Sequence, residues 1–120
     1  MKRQLMVLAA VVMVGAASLG AVTASPILGP GTSVKIVEAR GSVTYFETFR
    51  GGELAIVSLV GDGATDLDVF VYNEAGFLVA QGIGPTDIEV LRFTPNRTER
   101  YRIVVRNLGN TWNRFTLMTD

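Results

Sequence analysis

The chain has 120 residues, 11 Lys plus Arg against 11 Asp plus Glu, 48% apolar residues, and neither Cys nor His. That length holds one domain at most, and the composition is neither that of a disordered tail nor that of a basic nucleic-acid binder. The missing His and Cys remove the commonest general base, the commonest thiol nucleophile and the usual zinc and haem ligands, so a role without catalysis is the expectation.

Residues 1–24 open with Lys2 and Arg3, continue as an apolar run from Leu5 to Ala17, and end on the small residues Val22, Thr23 and Ala24. This is the pattern of a secretory signal peptide, and the uninterrupted apolar stretch falls short of the ~20 residues that cross a bilayer. Cleavage after Ala24 would leave residues 25–120 as a single domain, secreted or periplasmic, with no membrane span in the mature form. Charge is unevenly spread along that domain. Gly51 to Leu91 holds seven acids and no base, whereas Arg92 to Arg114 holds six Arg and only Glu99. Such halves either pair within one fold or form two charged faces.

Strand signals then follow one another without a helical stretch of convincing length. Ser33–Ala39 alternates, and Ser42–Phe49 is rich in Thr, Tyr and Phe. Gly51 and Gly52 mark a turn before the almost unbroken apolar run Glu53–Val60. Leu67, Val69 and Val71 alternate with Asp68, Phe70 and Tyr72, giving one wholly apolar face. Phe77–Gln81, Ile88–Phe93, a strand led by Tyr101, Ile103 and Val105, and Thr111–Met118 complete the series. About eight short strands between Gly, Pro and Asn turns predict an all-β fold, an antiparallel β-sandwich of jelly-roll type. Leu54, Ile56, Leu67, Val69, Val71, Ile103 and Val105 are the expected core. Glu47 falls on the side shared by Val43, Tyr45 and Phe49; a bulge turning it outward is the favoured expectation, burial against an Arg the alternative.

The run Gly61-Asp62-Gly63-Ala64-Thr65-Asp66-Leu67-Asp68-Val69-Phe70-Val71-Tyr72, the turn Asn73-Glu74-Ala75-Gly76, and Tyr101-Arg102-Ile103-Val104-Val105 followed by Phe115-Thr116-Leu117 together carry a resemblance. From Gly41 to Leu117 the chain resembles the bacterial pre-peptidase C-terminal domain, a β-sandwich module usually appended to secreted peptidases. Glu99 stands where that family usually has Gly, and Phe115 replaces a common Tyr. Because the leader abuts the module, a stand-alone domain is expected rather than a peptidase appendage.

Asp62, Asp66 and Asp68 are the candidates for chemistry. Carboxylates that hold a turn accept backbone N–H bonds, and this is the favoured role. Hard oxygens converging on a loop are also what Ca²⁺ requires, and the resemblance adds weight to that alternative because some relatives bind it. The spacing does not match an EF-hand, and no other cofactor is expected. Arg100, Arg102 and Arg106 share a strand face opposite Tyr101, Ile103 and Val105. They read as a solvated stripe pairing with Glu89 or Glu99, without interleaved aromatics, or else as a ligand-binding surface for a protein or an anionic polysaccharide. Trp112, the only Trp, is expected to close one end of the core, with stacking on a sugar as the alternative.

The functional expectation is an exported non-catalytic module that binds or stabilises a polysaccharide or protein partner at the cell envelope or outside the cell. Nucleic acid is not an expected partner. Two alternatives stand beside it: a structural protein that acts by edge-strand pairing, and a calcium-stabilised accessory domain of a secreted peptidase system.

Overall fold

The structure, a computed structural model, describes residues 25–120; the expected leader and its cleavage site after Ala24 lie outside or at the margin of the described residues. Eight strands follow in chain order: β1 Gly31–Val37, β2 Ser42–Phe49, β3 Ala55–Val60, β4 Leu67–Tyr72, β5 Leu78–Gly82, β6 Ile88–Phe93, β7 Glu99–Asn107 and β8 Asn113–Thr119. They form two four-stranded sheets, ordered β1-β8-β3-β6 and β2-β7-β4-β5, with every pairing antiparallel. This is the strand order of a jelly roll, in which each sheet takes strands from both halves of the chain. The predicted architecture is therefore the observed one.

Side-chain alternation places one row of each strand between the sheets. Leu67, Val69 and Val71 of β4 and Ile103 and Val105 of β7 are fully buried, as their alternation predicts. Phe49, Phe93 and Tyr101 meet edge-on or tilted, with ring centroids 5.3 to 5.7 Å apart, and fill one end of the core. Such pairs add about 0.5–1.5 kcal/mol beyond the apolar area they bury.

Two core expectations are corrected. Ala55, Val57 and Leu59 are the inward row of β3, whereas Leu54 is 52% exposed and Ile56 faces outward. An apolar run without polar interruptions carries no period, so its face is chosen by pairing: Leu59 lies opposite Leu117 of β8, and Val57 opposite Leu91 of β6. Glu47 is not turned out by a bulge either. The β2–β7 register runs unbroken from Ser42↔Arg106 to Phe49↔Glu99, so Glu47 keeps its inward phase opposite Tyr101. It is half-buried, desolvation pushes its carboxyl above the usual range, and among the described residues no ion pair reaches it.

Candidate functional site: an arginine and aromatic face

The outward row of β7 is Arg100, Arg102, Val104 and Arg106. Cross-strand register determines what stands beside each: Arg102 lies between Phe46 of β2 and Tyr72 of β4, and Val104 between Thr44 and Phe70. The guanidinium of Arg100 sits 4.2 Å over the Phe46 ring, and that of Arg102 sits 4.3 Å over Tyr72. Tyr72 in turn stacks with Phe70 at 6.5 Å. The stripe expected without aromatics is therefore interleaved with them, supplied by the two neighbouring strands. Its expected partners are corrected as well, because Glu99 pairs with Arg97 at 3.7 Å and Glu89 accepts a bond from the Gly84 N–H.

A guanidinium placed over a ring gains about 0.5–1 kcal/mol at an exposed site. Its planar N–H fork is also the group that grips a carboxylate with two parallel bonds. Arg100 and Arg102 line a shallow depression of about 190 Å³ together with Phe46, Asn73 and Glu74. Glu99 holds two of the lining residues, accepting a bond from the Glu74 N–H at 3.1 Å and one from the Tyr101 hydroxyl at 3.5 Å. The Gly-to-Glu departure at this position thus ties β7 to the β4–β5 turn. Arg106 lies apart, opposite Asp68 across the β4–β7 pair.

The three Asp residues are not gathered at one point. Asp62 Oδ1 accepts from the Ala64 N–H at 2.9 Å, and its Oδ2 accepts from the Arg114 N–H at 3.0 Å. These bonds, that from Arg114 first, hold its carboxyl below the usual range. Asp66 and Asp68 each keep one buried oxygen without a hydrogen-bond partner. Desolvation raises the Asp68 carboxyl above the usual range, the charges of Asp66 and Glu89 add to the rise, and Arg106 opposes it. Among the described residues, no three acidic side chains converge closely enough to hold a metal ion.

Two residues that sequence reading passed over organise this end of the sandwich. The buried Asn113 amide donates to Asp87 Oδ2 at 3.0 Å and to Thr65 Oγ1 at 3.0 Å, while its oxygen accepts from the Asp62 N–H at 3.1 Å. Asp87 Oδ2 also accepts from the Gly63 N–H at 2.7 Å, and a Cβ at Gly61 would overlap the Asp87 side chain. Asn107 binds the β1–β2 and β7–β8 loops in the same manner, donating to the carbonyls of Glu38 and Thr111. Trp112 is 51% exposed on the β7–β8 loop, which corrects its expected burial. The short return from Asn107 to Asn113 places it just outside β8, and Arg40, at φ 59°, pins the same loop through two bonds to Asn110 Oδ1.

Comparison with known family models and with curated protein sequences finds no match. Solved structures do match. The pre-peptidase C-terminal domain of a Bacillus anthracis collagenase superposes with a TM-score of 0.56 at 11% identity, over 74% of this chain and 89% of that one. The chain shares that domain's sandwich fold. A periplasmic inhibitor of g-type lysozyme from Aeromonas hydrophila gives a TM-score of 0.58 at 9% identity, over 76% and 84%. A mitogen from Yersinia pseudotuberculosis gives 0.51 at 12%, over 78% and 85%. At these identities the likeness is one of fold. Among the described residues, no helix is long and apolar enough to cross a membrane.

Proposed function

We propose that this chain is a non-catalytic binding module of the periplasm or the cell exterior that meets an acidic protein surface through the outer face of the β2-β7-β4-β5 sheet. The observation that carries the reading is the pair of guanidinium groups held at 4.2 and 4.3 Å over Phe46 and Tyr72 on one open face. Ring support removes part of the entropy that a free Arg loses on binding, and the exposed forks select carboxylates. A protein is favoured over a polysaccharide here because guanidinium groups sit over the Phe46 and Tyr72 rings on which a sugar would otherwise stack. The similarity in fold to an inhibitor of lysozyme and to a mitogen agrees with a sandwich that acts by contact with other proteins. Its placement outside the cytoplasm draws on the composition of residues 1–24.

The test is retention on immobilised polyglutamate, polygalacturonate and neutral dextran over a salt series. Polyglutamate should retain the protein at low salt, and an Arg100→Glu, Arg102→Glu double variant should elute in the void. Retention on polygalacturonate alone would transfer the reading to acidic polysaccharide. Equal behaviour of wild type and variant would remove this face from the function.

A further inference from the structure

The outer face of the other sheet has the opposite chemistry. Its two middle rows run Val34, Thr116, Val60, Ile88 and Thr32, Met118, Ser58, Val90 across β1, β8, β3 and β6. Val34, Ile36, Val60, Ile88 and Val90 are each 40–59% exposed, although sheets of this kind ordinarily alternate apolar inside with polar outside. The outer face of this sheet is therefore rich in exposed apolar side chains, broken in its middle rows only by Thr32, Thr116 and Ser58, and an exposed patch of this type marks an interaction surface.

The charges around the patch indicate its occupant. One end holds Arg114 on β8 beside Asp62, whose carboxylate accepts the Arg114 N–H. The other holds Arg92, opposite Ile56 on one side, and Asp120, whose backbone pairs with Ile56 on the other. Each end thus carries one cation and one anion. The strand order places β8 and β3 at the centre and β1 and β6 outside. A two-fold axis lying in the face, parallel to the strands and between β8 and β3, would set Arg114 against Asp62 of the second copy, and Val34 against Ile88 of the second copy.

We propose that the outer face of the β1-β8-β3-β6 sheet is a self-association surface whose occupant is a second copy of this chain. Four strands ~4.8 Å apart and four rows spanning ~20 Å give a footprint of about 400 Å² per copy, half of what a standard interface contributes. The dimer is accordingly of the weak, transient kind. The surface lies on the opposite side of the molecule from the Arg face, so the two can act together.

Sedimentation of the full chain from ~5 to ~500 µM, with intact mass recording its N-terminus, tests the proposal. The weight-average mass should rise toward that of a dimer, and Ile88→Lys should weaken association at least tenfold while unfolding at an unchanged temperature. Because the chain has no Cys, single engineered thiols report on the geometry. Val34→Cys mixed with Ile88→Cys should crosslink between copies under mild oxidation, faster than Val34→Cys with itself. A monomer at all concentrations, an Ile88→Lys variant that associates as before, or binding of the monomer to phosphatidylcholine–phosphatidylglycerol vesicles without self-association would each overturn it.

Discussion

Asn113 serves the β3–β4 loop, the β5–β6 loop and the start of β8 with one fully buried side chain. Removing it takes one of the two bonds on the buried Asp87 Oδ2 and also those on Thr65 Oγ1 and the Asp62 N–H, and a buried group left unmatched costs about 1–3 kcal/mol. Asn113→Ala should therefore lower stability by at least that amount in urea titrations, whereas Asn110→Ala, at an exposed contact, should fall within about 0.5 kcal/mol of wild type. Asp68 differs from both. Its buried oxygen lacks a partner and faces the charges of Asp66 and Glu89, so Asp68→Asn removes a repulsion and should leave the melting temperature equal or slightly higher at neutral pH. If millimolar Ca²⁺ raised the wild-type melting temperature by several degrees and Asp68→Asn abolished the rise, the acidic loop would be a metal site instead. The capping role of Asp62 was legible because it acts on a residue two places away. Those of Asn113 and Asp87 were not, since their partners lie 24 to 51 residues off along the chain.

Strands whose apolar and polar residues alternate announced their faces; β3 could not. Leu59 and Val57 face the core and Leu54 the solvent, so Leu59→Ala should cost ~2–5 kcal/mol and Leu54→Ala little, measured as the shift in urea midpoint at constant slope. A larger cost at Leu54 than at Leu59 would return the apolar run to its expected phase. The same distinction between one strand and its neighbours governs the Arg row. That Arg100, Arg102 and Arg106 share a face follows from a period of two, and the exposure of Arg100 and Arg106 followed with it, whereas Arg102 is half-buried. That Phe46 and Tyr72 lie beneath two of them depends on which strands flank β7 and in what register, and neither can be read from β7 itself. Trp112 was misplaced for a related reason: burial of Trp in general says nothing about a loop already closed by Asn107 beneath it.

Across the whole domain the partly desolvated carboxyls set the response to acid. Glu47, Asp68 and Asp120 are raised above their ordinary values, in each case chiefly by desolvation, so the folded state holds protons that the unfolded chain has released. Their contribution is unfavourable when all are ionised and fades as pH falls from neutrality toward about pH 4, the ordinary carboxylate range. Asp62 runs the other way, its contribution being lost once the pH falls through its lowered value. The urea midpoint should therefore rise on acidification from pH 7 to about 5 and drop again below about pH 3.5, and Glu47→Gln should flatten the first limb. The jelly-roll order has one further consequence, in time rather than in space. β1 closes only on β8, with Gly31 opposite Thr119, and β2 only on β7. A growing or threading chain thus finds no partner for its first two strands until its last two arrive. β4 can pair with β5 and β3 with β6 earlier, but neither sheet can be completed until β7 and β8 arrive, so the polypeptide acquires its final shape late, on the millisecond-to-second scale typical of sandwiches. A chain ended before β8 would leave β1 without any partner strand and β3 with β6 alone, and should be cut by proteases far faster than the complete one.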